Sequence, residues 1–266
     1  MAEFLNLLGA EMETPKPYGV FHICALAVVA AGAALLGVSG RGMKDRAVRT
    51  VCLVFWTALF LFESYKQIIF SFNYNGGEPY WDYQWYAFPF QLCSAPLYVL
   101  PFVFLSGEKS AVRRAAAAFL STYVLFAGIA VMLYPSSVFI HTIGINIQTM
   151  FWHGSQVMLG VFLLARYSRE LNIRFFLRGI PVFLIMVGAA MILNLTVPRF
   201  TDETFNMYFI SPYFPSTLPV LDAIYPLVPW PVFFLIYLLG YTLAAFLVFI
   251  AAKGLSLIPK RKKAAD

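Results

Sequence analysis

Five side chains able to take part in acid–base or nucleophilic chemistry fall inside long apolar stretches of the chain: His22, Glu63, Lys66, Cys93 and His153. Ionisable groups in hydrocarbon are costly, so each marks a candidate site for binding, proton relay or catalysis. Glu63, Lys66 and Gln67 follow the three-and-four spacing of one helix face. There Glu63 and Lys66 can neutralise each other, or Glu63 can orient a histidine as a carboxylate does in a catalytic triad. Thr149, His153, Gln156 and Gly160 make a polar stripe within TMFWHGSQVMLGVFLLA, and such a stripe must face protein or water rather than lipid. Cys93 lies in YAFPFQLCSAPLYVLPF between Pro89 and Pro96. Each proline removes a backbone hydrogen bond, so the helix is expected to break or kink about the thiol and leave carbonyls free. A thiolate nucleophile and an imidazole base are the components of covalent acyl transfer. The plainer alternatives are an ion pair that fixes helix packing, an interhelical histidine bridge and a packing thiol; Cys24 and Cys52 are read as packing.

The elements that must position these groups are membrane spans. Apolar residues make up 61% of the 266 positions and charged residues 12%, with mean hydropathy +0.74, whereas a soluble domain carries about 25% charge. This excludes a water-soluble enzyme and a disordered chain, and three cysteines exclude a disulfide scaffold. Spanning takes about 20 mostly apolar residues. Seven such stretches are expected, at Tyr18–Val38, Thr50–Phe72, Tyr86–Ser106, Ala115–Tyr134, Asn146–Arg166, Gly179–Val197 and Pro231–Ala252. Continuous runs such as HICALAVVAAGAALLGVSG do not alternate as a β-barrel strand would. The expected fold is therefore all-α, a polytopic seven-transmembrane-helix bundle.

Orientation follows from the cationic residues. All of the 19 lysines and arginines except Lys16, Lys66 and Arg199 fall at one set of alternate loops, from Arg41–Arg49, Lys109–Arg114 and Arg166–Arg178 to the tail after Lys253. The other side holds Glu3, Glu11, Glu13, Glu78, Asp82, Asp202, Glu203 and Asp222. Cationic loops stay in the cytoplasm, which puts the N-terminus out and the C-terminus in. The net charge of +6 then reflects orientation and contacts with anionic lipids, not nucleic-acid binding. Residues 1–266 read as one integral-membrane domain: an outer tail 1–17, spans within 18–252 and a basic cytoplasmic tail 253–266, in the cytoplasmic membrane if the host is bacterial. The five ionisable groups fall within about 13 Å of the outer ends of their helices, which predicts one polar pocket opening outward. The long outer segments Asn73–Trp85, Pro135–Ile145 and Pro198–Trp230 are rich in prolines and aromatics and are expected to lie in the interface. Paired histidines at metal or haem spacing, CxxC, a glycine-rich phosphate loop and a GxSxG elbow do not occur.

The motifs FPFQLCSAPLYVLPF, FWHGSQVMLGVFLL, and NMYFISP followed by PLVPWPVFFLIY resemble, in order and placement, the family of transmembrane protein 164 and its bacterial integral-membrane relatives. The likeness runs from the second span through the seventh. It implies a multi-span fold and, from the animal member, an acyltransferase that moves fatty acyl chains between phospholipids through a cysteine and a histidine. Those two fall on Cys93 and His153. Asn206, Tyr208 and Phe209 correspond to the family's Asn-aromatic segment and Trp230-Pro231 to its Trp-Pro pair. Bacterial relatives often have His two places before the cysteine, where this chain has Gln91.

The expected mechanism is acyl transfer at the outer leaflet. His153 takes the Cys93 proton, the thiolate attacks a phospholipid ester, and a lysophospholipid accepts the chain; no cofactor is needed. Gln91, Gln156 or Asn194 is expected to donate to the tetrahedral oxyanion, with Glu63 in support. Lys66, His22, Asn206, Tyr208 and Trp230 are the candidate substrate contacts. Two other readings stay open. A transporter or transporter subunit would use Glu63, Lys66 and His153 as its polar site, and a non-catalytic lipid-binding or scaffolding protein would use the aromatic outer loops.

Overall fold

The computed structural model describes residues 2–73, 79–201 and 203–257. It is 74% helical, and its two-residue strands β1 (Phe72–Asn73) and β2 (Tyr80–Trp81) pair antiparallel, so the all-α expectation stands. Glu78, Asp202 and the basic cluster Lys260, Arg261, Lys262 and Lys263 lie outside the described residues.

After a short α1 (Ala2–Leu8) come α2 (Val20–Ser39), α3 (Asp45–Ile69), α4 (Ala95–Leu105), α5 (Ala111–Phe119), α6 (Leu125–Leu133), α7 (Ile143–Arg166), α8 (Ile173–Thr196), α9 (Leu221–Ile224) and α10 (Trp230–Leu257). A π turn over Leu120–Val124 joins α5 to α6 without a break. Five helices are long and apolar enough to cross a membrane: α2, α3, the joined α5 and α6, α8 and α10.

The other two expected spans take different forms. α7 has the length, at 24 residues, but buries Asn146, Gln148, Thr149, His153, Ser155 and Gln156. A helix this polar is tolerated only when neighbours surround it, and α2, α3 and α6 pack against it. Along Tyr86–Ser106 the expected long helix is absent. The chain makes two 3-10 turns, Trp85–Ala87 and Leu92–Ser94, before the 11-residue α4. Pro89 prevents regular helix before the second turn. The 11 residues of α4 rise only about 16 Å, roughly half the hydrocarbon thickness.

The segment after α8, expected to lie in the interface, also differs from expectation. Rather than lying flat, it turns into the bundle: Phe205, Met207, Ile210 and Ser211 are fully buried. The N-terminal residues dock at the same end, with Met12 N donating to His141 O at 2.7 Å and Tyr65 Oη to Leu8 O at 2.8 Å.

The opposite end is cross-linked by the arginines. Arg49 donates to Phe104 O and Ser106 O, at 2.9 and 2.8 Å, satisfying carbonyls that end α4 without partners of their own. Asp45 pairs with Arg49 at 2.7 Å and with the fully buried Arg113 at 2.6 Å. Arg166 pairs with Glu108 and Arg114 with Glu170. These cations therefore hold helix ends as well as marking a side.

Candidate functional site

Proline placement creates the anchor of the site. In the 3-10 turn Leu92–Ser94 the carbonyl of Cys93 would accept from the residue three places on, which is Pro96 and has no N–H. The carbonyl accepts instead from two side chains of α7, Trp152 Nε1 at 2.9 Å and Gln156 Nε2 at 2.8 Å. Pro101 does the same to Leu97 O, which takes its hydrogen bond from Trp56 Nε1 on α3 at 2.9 Å. Two prolines thus tie the thiol-bearing segment to the helices on both sides. The free carbonyl at the cysteine matches the expectation from the prolines; the donors Trp56 and Trp152 were not among the candidate residues, because an indole in an apolar span does not announce its hydrogen-bond partner.

His153 sits between Trp152 and Gln156 in chain order and is buried. Its Nδ1 lies 2.9 Å from Thr149 O. A carbonyl only accepts, so Nδ1 carries the proton, and Nε2 of the neutral ring holds the lone pair. α6 comes close enough to α7 here that a Cβ on Gly128 would stand 2.8 Å from Gln156 Cβ and 2.9 Å from His153 O. The same two α7 residues that flank His153 hold Cys93, although among the described residues no hydrogen bond joins the thiol to the imidazole.

α3 brings the charges. Glu63 pairs with Lys66 at 2.8 Å, and the same carboxylate oxygen accepts from Gln67 Nε2 at 2.7 Å. The other oxygen is buried and, among the described residues, has no hydrogen-bond partner. Lys66 acts electrostatically on both the Cys93 thiol and the His153 ring, and Glu63 on the thiol. Gln67 also donates to Ala87 O at 2.9 Å and accepts from Tyr83 Oη at 2.8 Å. Burial, with Glu63 adding to it, pushes the Tyr83 phenol up to about 12, so it stays a donor.

From the other side comes the outer segment. Met207 is held by Asn194, whose Nδ2 donates to Met207 O at 2.9 Å and whose Oδ1 accepts from Met207 N at 2.7 Å. Gln91 Nε2 donates to Asn206 O at 2.9 Å while its Oε1 accepts from Tyr208 N at 2.7 Å. Asn206 closes the loop on itself through Ser211 N, Phe214 O and Pro215 O. These brackets sustain left-handed backbone at Tyr208 (φ 58°) and Phe209 (φ 56°), a conformation bulky residues rarely adopt. The result is a Tyr208 side chain that is 1% exposed, its hydroxyl unpartnered among the described residues and within electrostatic reach of Cys93. Tyr241 of α10 reaches the thiol in the same way. Its ring lies 4.6 Å from that of Tyr237. This α10 pair has the (i, i+4) spacing of one helix face, but it is lost among the many aromatics of an apolar span.

Glu63, Lys66, Cys93, His153, Gln156 and Tyr208 therefore share one neighbourhood, while Gln91, Asn194 and Asn206 hold the loop that delivers Tyr208. Trp230 donates from Nε1 to Ile210 O at 3.1 Å, pinning the end of the same loop. His22 is elsewhere. Its Nδ1 accepts from Tyr18 N and its Nε2 donates to Met132 O, both at 2.9 Å, in a fully buried position. With both ring nitrogens used, it is a pin between α2 and the end of α6 rather than a substrate contact. Cys52 is buried, as a packing residue, whereas Cys24 is exposed.

Two cavities adjoin the site. A groove of about 380 Å³ runs along α3 past Trp56, Phe60, Glu63 and Gln67 and is closed by Pro89, Leu97 and Tyr98. A cavity of about 410 Å³ lies beyond it at the β1–β2 end. Among the described residues no group of three or more His, Cys, Asp or Glu could hold a metal ion.

A family model described as the TMEM164 family matches residues 17–252 of the chain. No curated protein and no solved structure matches it.

Proposed function

The chain belongs to the TMEM164 family, and from that premise we propose that it is a membrane-embedded acyltransferase that moves a fatty acyl chain between phospholipids through a thioester on Cys93. In the first half-reaction His153 Nε2 takes the proton from Cys93 Sγ, and the thiolate attacks the carbonyl carbon of a phospholipid ester. The tetrahedral intermediate collapses with cleavage of the ester C–O bond. The departing alkoxide takes the proton back from the imidazolium and leaves as a lysophospholipid. In the second half a lysophospholipid hydroxyl gives its proton to His153, attacks the thioester carbonyl and releases the Cys93 thiolate.

One observation carries this reading: Trp152 and Gln156, on either side of His153, both hold the Cys93 carbonyl, while Thr149 leaves His153 with its lone pair on Nε2. The oxyanion role passes from the amides of Gln91 and Asn194, both taken up by loop backbone, to the unpartnered Tyr208 hydroxyl, with Lys66 adding positive potential. Removing one such donor commonly costs about 3 kcal/mol of transition-state stabilisation. The groove beside Trp56, Phe60 and Tyr98 suits an acyl chain, since from Gln67 to Trp56 it follows about 16 Å of helix toward the bilayer centre.

In the same reading the chain crosses seven times, α4 with its 3-10 lead-in making the third crossing and α7 the fifth. The N-terminus and the Cys93 site face outward, the arginine-bearing ends face the cytoplasm and anionic lipid, and residues 1–266 act as one integral-membrane domain. Purified protein given a phospholipid with a labelled acyl chain and an unlabelled lysophospholipid tests the proposal. Label should move in the wild type and stop in Cys93→Ala and in His153→Ala, with both variants folded. Transfer that survives Cys93→Ala and fails only in Glu63→Gln points to transport or relay chemistry at the charge pair instead.

A further inference from the structure

The cavity at the β1–β2 end is built almost wholly of aromatic faces and carboxylates. Trp81, Tyr83 and Trp85 alternate along the chain. The rings of Trp81 and Tyr83 lie 6.1 Å apart with their planes 16° from parallel, and Trp85 stands edge-on to Tyr83 at 5.3 Å and 88°. Phe88, Asp82 and Glu203 complete the lining of about 410 Å³. Glu203 is brought across from the outer segment, where its carboxylate accepts from Trp85 N at 3.2 Å. No lysine, arginine or histidine is among the lining residues.

Ring faces carry the negative end of the aromatic quadrupole, and the Glu203 carboxylate deepens the potential, so the cavity favours a cation. A small, strongly hydrated metal ion would need a shell of oxygens that rings do not supply. An organic ammonium, bulky and weakly hydrated, suits the rings as well as the charge. We propose that this cavity binds the ammonium group of a zwitterionic phospholipid headgroup.

The lipid source is argued from continuity. Tyr83, a wall of the cavity, donates to Gln67, and Gln67 donates to Glu63. Gln67 and Glu63 in turn line the groove that runs down α3 to Trp56. A molecule with its ammonium at Trp81 and Trp85 and a chain along Phe60 and Trp56 would carry its ester past the Glu63 and Lys66 pair, as a phospholipid does and a free amine does not. As the headgroup end of a transferase substrate, the cavity rests on the acyl-transfer reading; as a binding site it is read without any chemistry.

The full chain, purified in detergent, is titrated calorimetrically with dihexanoyl phosphatidylcholine, with dihexanoyl phosphatidylglycerol and with choline chloride. Trp81 is 68% exposed, so the choline lipid is expected to bind about fourfold more tightly than the glycerol lipid, the scale of a cation–π contact at an exposed site. Trp81→Ala and Glu203→Gln should each remove most of that margin, and Trp81→Phe should keep most of it. Equal binding of the two lipids, or a margin that survives Trp81→Ala or Glu203→Gln, overturns the proposal. Choline chloride binding as tightly as the choline lipid overturns the lipid assignment in favour of a soluble ammonium. The margin should persist in Cys93→Ala, so a protein that binds the choline lipid selectively but transfers no acyl chain leaves the cavity standing and removes only the transferase reading.

Discussion

Gln156 Nε2 donates to the main-chain carbonyl of Cys93 at 2.8 Å, one helical turn beyond the Trp152 indole that donates to the same oxygen at 2.9 Å. The proline-broken segment keeps only the short bonds of its own turns, such as Ser94 N to Gln91 O at 2.8 Å, so these two side chains are what tie the thiol-bearing turn to the helix of His153. Gln156→Leu removes one of them and leaves the indole in place. We expect a stability loss of about 1 kcal/mol, the net worth of one hydrogen bond, and a larger fractional loss of acyl transfer. Thermal unfolding and the labelled-lipid assay on the same preparation separate the two effects.

The bracket on the outer segment is a second test. Asn194→Leu leaves the N–H of Met207 unpaired in a buried position and its C=O with Ile210 N at 3.5 Å as its remaining donor. The orphaned N–H costs about 1–3 kcal/mol, so this variant should be clearly less stable than the wild type. Gln91→Leu, which frees Tyr208 N and leaves Asn206 O with Phe209 N at 3.3 Å, should behave similarly and should also lower the rate by letting the Tyr208 backbone relax out of its left-handed conformation. Denaturation midpoints and initial rates of transfer report on both.

How far the sequence revealed this arrangement depends on whether the information was local. Hydropathy located α2, α3, α5 with α6, α8 and α10, because a spanning helix is defined by its own twenty-odd residues. The prolines around Cys93 announced a broken helix and a free carbonyl for the same reason. The common depth of five ionisable groups predicted a single pocket; Glu63, Lys66, Cys93 and His153 do lie in one neighbourhood, and His22, at the same depth, does not. What could not be read were partners far along the chain. Residues 198–230 looked like an interfacial belt because their prolines and aromatics suit the headgroup layer; burial of Phe205 and Met207 depends on amides 13 or more residues away. His22 looked like a substrate contact from its depth, yet both of its ring nitrogens meet backbone.

Close approach of α6 and α7 gives a packing prediction. A side chain at Gly128 would meet Gln156 Cβ and His153 O at under 3 Å, and neither can yield without moving α7. Gly128→Val should cost about 1–3 kcal/mol, the usual penalty of overpacking. It should also reduce acyl transfer by shifting His153, whereas Gly188→Val, at a position with open space around it, should leave transfer unchanged. Thermal unfolding of the two variants, with their transfer rates, makes the comparison.

At the arginine-bearing end the two halves of one ion pair should respond unequally. Asp45→Ala leaves the Arg113 guanidinium, which is fully buried, with Ser106 O at 3.5 Å as its hydrogen-bond partner. An uncompensated buried charge costs about 3–5 kcal/mol. Arg113→Met removes the buried charge and leaves Asp45 paired with Arg49 at 2.7 Å, so it should cost less. Reversal of that order in thermal unfolding would contradict the pairing.

The most direct measurement is of the covalent step itself. Wild-type protein is incubated briefly with a phospholipid carrying an isotopically labelled acyl chain, quenched in acid, digested and examined by mass spectrometry. A labelled acyl mass on the peptide containing Cys93, removed by neutral hydroxylamine and missing when His153→Ala protein is used, is the expected result. Efficient acyl exchange with no thioester on that peptide, or an adduct that forms equally well without His153, would contradict a thiol nucleophile served by that imidazole.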